Sequence, residues 1–184
     1  YELRKQLDDR RGIVSSLLEL GLIYEAKGET KEALQKLYMA DSLARRINDK
    51  VTLAELEQGS AEILFNEKNY KEAFARATRV LKTVREVTNQ KLFIRASLIK
   101  GKYFLEQKEY VAALPVFEEL INKAAQSGYL NYQMEAVRNA AACYQALGDT
   151  EKWRYMMNQL EVLQEQIKNT DLQRQIERLQ FLLQ

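Results

Sequence analysis

Histidine is absent from this chain, and in 184 residues there are only one cysteine, one proline and seven glycines. Each shortage removes a class of chemistry or structure. Without histidine, this segment cannot form a Ser-His or Cys-His nucleophile pair or an imidazole metal site. One cysteine excludes an intrachain disulfide framework and leaves cytoplasmic and periplasmic settings both open. No Gly-x-Gly-x-x-Gly or Walker-type loop is present to cradle a phosphate. So few prolines and glycines leave few places to break a helix. Charge is nearly balanced: 28 Lys and Arg against 26 Asp and Glu give +2, and nucleic-acid binding would need a clustered basic face instead. The segment is expected to hold no catalytic group, metal, cofactor or membrane span, and is read as non-enzymatic.

What the chain does contain is a repeat. Leu20-Gly21-x-x-Tyr24 leads through Gly28-Glu29-Thr30-Lys31-Glu32-Ala33 to Leu37 and Ala40, and a shift of 40 residues reproduces the pattern. Gly21 maps to Ala61, Gly101 and Ala141, and Tyr24 maps to Leu64, Phe104 and Tyr144. Ala33 maps to Ala73 and Ala113, but the fourth copy has Trp153 in this slot. A bulky ring cannot pack as closely as a methyl group, so the fourth copy is expected to be atypical, as terminal repeats often are. The turn reads Gly28-Glu29, Lys68-Asn69, Lys108-Glu109 and Gly148-Asp149.

These residues resemble the tetratricopeptide (TPR) pattern, in its long-helix variety with a period near 40 residues, over about residues 12 to 168. The resemblance implies an all-α, right-handed α-α superhelix, a TPR-like solenoid of four helix-turn-helix repeats plus a C-terminal helix. The copies are expected at about 10–49, 50–89, 90–129 and 130–168. Helices A should run about 12–27, 50–67, 90–107 and 130–147, and helices B about 30–47, 70–87, 110–126 and 150–168. Each spans ~17 residues, or roughly 26 Å. Pro115 lies within a B helix and should bend it slightly.

Both ends of the chain depart from the repeat. Residues 3–10 align at the same offset with residues 43–50, so residues 1–9 are read as the tail of a preceding repeat and the chain as a piece of a longer array. At the other end the stripe Met156, Leu160, Leu163, Ile167 restarts after a gap of five as Leu172, Ile176, Leu179, Leu183. Thr170 or Asp171 would make a good N-cap, so a separate helix is expected over 169–184. It can fold back to cap the array, the favoured reading, or its 4-3-4 spacing can form a weak homodimer seam through 171–184.

Among reactive groups, Cys143 is read as a buried small apolar side chain and the carboxylate pairs Glu118-Glu119 and Glu161-Glu165 as solvated surface. The remaining candidate is a binding surface. In TPR superhelices the A helices line the concave wall, and the resemblance implies partner contacts at Glu55, Gln58 and Glu62 in the second copy, Arg95, Leu98 and Lys102 in the third, and Arg138 and Asn139 in the fourth. Leu18 and Leu22 stand where a carboxylate clamp would need Lys and Asn. The acidic second copy and basic later copies could read a bound segment by charge. Equally, those charges could pair with each other on a solvated face. The function expected is a non-catalytic scaffold binding a peptide or partner helix in the concave groove. The alternative is a sensor or regulatory TPR segment of a larger bacterial signalling protein, a two-component kinase or transcription regulator.

Overall fold

The computed structural model describes residues 9–47, 50–87 and 89–182. Residues 1–8, assigned above to a preceding helix, and Leu183 of the C-terminal stripe lie outside them. Among the described residues there are eight helices and no strand: α1 (Arg10–Ala26), α2 (Thr30–Ile47), α3 (Lys50–Asn66), α4 (Tyr70–Val87), α5 (Gln90–Glu106), α6 (Tyr110–Gln126), α7 (Leu130–Leu147) and α8 (Thr150–Leu182). Successive helices begin 20 residues apart, so the 40-residue sequence period contains two equal halves. Pro115 sits in the second turn of α6, and the helix continues through it although proline offers no N–H to the Val111 carbonyl.

The turns explain the regularity. Gly28, Lys68, Lys108 and Gly148, equivalent by the repeat, take positive φ of 78°, 61°, 60° and 76°. Each ends its helix in a left-handed residue, and the next N–H donates back to the carbonyl of Tyr24, Leu64, Phe104 or Tyr144 at 2.8 to 3.0 Å. The large residue of the repeat therefore lies one turn before the cap in every copy. At the first helix, Asp9 accepts from the backbone N–H of Gly12 at 2.9 Å, a side-chain N-cap.

The chain divides into two compact units, residues 1–103 and 104–184. In the first, one cluster joins Val14 and Leu17 of α1, Ala33, Leu37, Ala40 and Ala44 of α2, and Leu56 and Ile63 of α3. Another joins Ala54 and Ala61 of α3, Ala73, Ala77, Val80 and Val84 of α4, and Leu92, Ala96 and Ile99 of α5. The α2 and α4 sets share one 4-3-4 spacing, and Ala113, Phe117, Leu120 and Ala124 of α6 repeat it, all buried. Small residues at Gly21, Ala61, Gly101 and Ala141 are buried too. A Cβ built on Gly21 would lie 3.1 Å from Leu37 Cδ2 and 3.3 Å from the Ala33 carbonyl oxygen, so α1 and α2 approach through this slot.

In the second unit α6 packs on α7 and α7 on α8. The periodic positions on α8 weaken: Trp153 and Met157 are half-buried and Gln164 is exposed, while Leu160 keeps its buried slot and Met156 and Leu163 are buried beside it.

The expected break at Asn169-Thr170-Asp171 does not occur. α8 is one helix of 33 residues, and the Thr170 hydroxyl donates to the Gln166 carbonyl one turn back at 2.8 Å, so Thr170 caps nothing. The five-residue gap in the apolar stripe turns the helix by about 140°, so the stripe changes face and the helix does not end. The favoured capping arrangement is overturned with it. Residues 171–181 are all exposed, including Leu172, Ile176 and Leu179, and do not fold back onto the preceding turns.

Candidate functional site: a charged face on α3 and α5

In the first unit, the candidate residues with side-chain surface sit on α3 and α5, which share the second apolar cluster. Glu62 of α3 and Arg95 of α5 form a two-point ion pair: Arg95 Nε donates to Oε1 at 2.8 Å and Nη2 to Oε2 at 2.6 Å. The Arg95 side chain is 18% exposed and that of Glu62 30%, which keeps the pair less screened than one in open water. Gln58, fully buried on the previous turn of α3, donates from Nε2 to Glu62 Oε1 at 3.1 Å, so the carboxylate is fixed from two sides. Among the described residues Gln58 Oε1 has no hydrogen-bond partner. Beside the pair, Lys102 Nζ lies 5.8 Å from the ring centre of Phe65, within cation–π reach. Glu55 is half-buried two turns before Glu62 on α3.

The other candidates fall differently. Gln58 and Leu98 are buried and offer a partner little or no surface in this conformation. In the second unit, Arg138 is exposed and Asn139 half-buried, with the Asn139 Nδ2 buried and lacking a hydrogen-bond partner among the described residues. The structure thus joins Glu62 and Arg95 as a pair supported by Gln58, with Lys102 placed over Phe65.

Two charged arrangements escaped the sequence reading. Elsewhere in the first unit, Glu57 of α3 accepts from Arg76 Nη1 at 3.4 Å and from Arg79 Nη2 at 3.0 Å, both on α4. Glu72 joins Arg76 through its Nε at 3.1 Å. Arg45 on α2 donates to Asp41 at 2.8 Å, and this bond raises the guanidinium pKa further above its ordinary value. These side chains border a groove of about 630 Å³ floored by Leu37 and Leu64. The Glu72-Arg76 spacing of four was a visible signal for part of it. In the second unit, Tyr144 donates its hydroxyl to Glu118, one of the carboxylates read as merely solvated. Burial, then the Glu118 bond, pushes the Tyr144 pKa up to about 12. Cys143 is fully buried, and desolvation raises its thiol pKa to about 11, so it is an inert packing group as expected.

Among the described residues, no cluster of three or more His, Cys, Asp or Glu could hold a metal ion, and no helix is long and apolar enough to cross a membrane.

No protein-family model matches the sequence, and no curated protein matches it. Solved structures do. Aspartyl phosphate phosphatase F from Bacillus subtilis superimposes with a TM-score of 0.78 at 15% identity, over 86% of this chain and 42% of that one. A Signal Transduction ATPase with Numerous Domains carrying a tetratricopeptide repeat sensor, from Pyrococcus horikoshii, gives 0.75 at 17% identity, over 88% of this chain and 25% of that one. Kinesin light chain TPR-like repeats from Podosopora anserina give 0.65 at 14% identity, over 85% of this chain and 76% of that one. The chain therefore spans less than half the length of the first two. At these identities the likeness establishes the architecture: the chain has the all-α fold of TPR-like helical repeats.

Proposed function

We propose that the chain is a non-catalytic protein-interaction scaffold, with its 40-residue copies arrayed so that the α3 and α5 face receives a peptide or a partner helix. The observation that carries this reading is the fixed charge arrangement. Glu62 is held by both Gln58 and Arg95, so one acidic and one basic group of the face are oriented before any partner arrives, with Glu55 on α3 and Lys102 on α5 as further charges of each sign. Preorganised charges contribute specificity and association rate more than raw affinity. The partner chemistry that fits is a segment with a basic block followed by an acidic block. In the second unit, taken by itself, Arg138 and Asn139 remain proposed contact residues of the fourth copy.

The test uses synthetic peptides carrying a basic and an acidic block in either order, read by fluorescence anisotropy. One order should bind the wild-type chain, and the variant Arg95→Glu with Lys102→Glu should lose that binding while keeping its helical circular dichroism. Equal binding by the variant, or no preference between the two orders, would refute the reading.

A second reading is that the array is the sensor or regulatory part of a larger signalling protein. Its support is the likeness to the tetratricopeptide repeat sensor, together with α8, whose final turns reach beyond α7 with their apolar side chains exposed. On this reading 171–184 pairs with a second copy and passes the state of the array onward.

A further inference from the structure

α8 has two apolar faces. One, with Met156, Leu160 and Leu163, is buried. The other lies roughly opposite and is open: Tyr155 is 59% exposed, Val162 55%, Leu172 54%, Ile176 40% and Leu179 61%. The open face is regular. Tyr155, Val162, Asn169 and Ile176 recur every seven residues, and Asn158, Glu165, Leu172 and Leu179 follow each of them by three. This is the a/d spacing of a coiled-coil seam. It spans 25 residues from Tyr155 to Leu179, about 37 Å of helix, where the terminal stripe alone offered two heptads. Along one edge Gln159, Gln166, Gln173 and Gln180 hold the same heptad position, so that edge carries no charge to repel a like surface.

We propose that this face pairs with the same face of a second copy as an antiparallel two-helix seam. The proposal rests on the pairing reading above and specifies both its extent and its orientation. A two-fold axis beside Ile167 sets Tyr155 against the partner's Leu179 and Val162 against the partner's Leu172, each twice over, and both layers are apolar. Ile176 meets the partner's Asn158, a half-apolar layer. At the centre Glu165 meets the partner's Asn169 and lies next to the partner's Lys168, so the one buried carboxylate gains a donor and a cation. The parallel arrangement instead places Glu165 against the partner's Glu165 inside the seam, where two like charges are desolvated together. Self-complementarity about a two-fold axis is what an isologous contact requires, and it identifies the occupant as a second copy of this chain.

Sedimentation equilibrium of the whole chain over a hundredfold concentration range should show reversible dimerisation, abolished by Val162→Asp with helicity retained. A monomer at every concentration would overturn both the pairing and its orientation. Orientation is read separately by mixing Val162→Cys and Leu172→Cys chains under oxidation; Cys143 is fully buried and stays out of the reaction. The antiparallel seam predicts a disulfide between the two variants and none within either alone. If Val162→Cys or Ile176→Cys crosslinks to itself, the helices run parallel, and the orientation is wrong while the pairing stands.

Discussion

Two glycines in the middle of helices offer a matched test of how the repeat packs. Gly21 in α1 and Gly59 in α3 would each gain about 0.8–1.0 kcal/mol of helix propensity on substitution by alanine. Their surroundings differ. A Cβ at Gly21 meets Leu37 Cδ2 at 3.1 Å, Leu37 Cγ at 3.2 Å and the Ala33 carbonyl oxygen at 3.3 Å. That oxygen belongs to the backbone of α2 and cannot swing aside, so α1 and α2 must separate. Overpacking of this kind costs about 1–3 kcal/mol, which outweighs the propensity gain and leaves Gly21→Ala up to about 2 kcal/mol less stable. At Gly59 the Cβ meets only Leu18 Cδ1, at 2.8 Å, the far end of a flexible side chain. A rotation of Leu18 relieves it, so Gly59→Ala should be neutral or stabilised by up to about 1 kcal/mol. Both substitutions have nearly the same effect on the unfolded chain, so their difference isolates the packing contact. Thermal unfolding followed by circular dichroism resolves it, since each kcal/mol moves Tm by about 2–4 °C for a chain of this size. If Gly21→Ala is stabilised as much as Gly59→Ala, the close approach of α1 and α2 through the small slot is wrong.

Other substitutions test other parts of the account. Lys68→Gly should raise stability by about 0.5–1 kcal/mol, because a left-handed lysine costs about 1–2 kcal/mol and glycine recovers that less its greater unfolded-state entropy; a loss in urea unfolding would contradict the turn geometry. Tyr144→Phe should cost about 1 kcal/mol at neutral pH through the lost Glu118 bond, as measured by denaturant midpoint. The Tyr144 pKa is raised above that of the unfolded chain, so its stabilisation is fully present below about pH 10 and is lost as pH rises towards about 12. The Phe variant should show a correspondingly flatter alkaline stability profile. Cys143 should resist a thiol reagent at pH 8 in the folded chain and react only on unfolding, and rapid labelling would contradict its burial.

How much of this could be read from the residues depended on whether a side chain's environment is set by the repeat. Ala33, Ala73 and Ala113 recur at one offset because each occupies the same buried slot, so helix positions followed from the period. Trp153 announced the altered fourth copy for the same reason. The continuity of α8 was less legible. A five-residue gap with Thr and Asp in it reads equally as a cap or as a change of face, and only the Thr170 bond to Gln166 decides between them. The strained turns at Lys68 and Lys108 were located but not recognised as left-handed, since only glycine advertises that conformation. At the candidate site the charge pairing of Glu62 with Arg95 was foreseen as one of two outcomes. The burial of Gln58 was not, because a polar residue on an A helix reads as surface until the carboxylate that it supports is seen.

The central claim is that the α3 and α5 face receives a partner, and amide chemical-shift mapping tests it most directly. Titrating the preferred block peptide into isotopically labelled protein should move resonances around Glu55, Glu62, Arg95 and Lys102 first and furthest, with the Arg95 Nε–H signal shifting as its bond to Glu62 readjusts. Shifts confined to the groove near Arg45 and Arg79, with the α3 and α5 face unchanged, would contradict it.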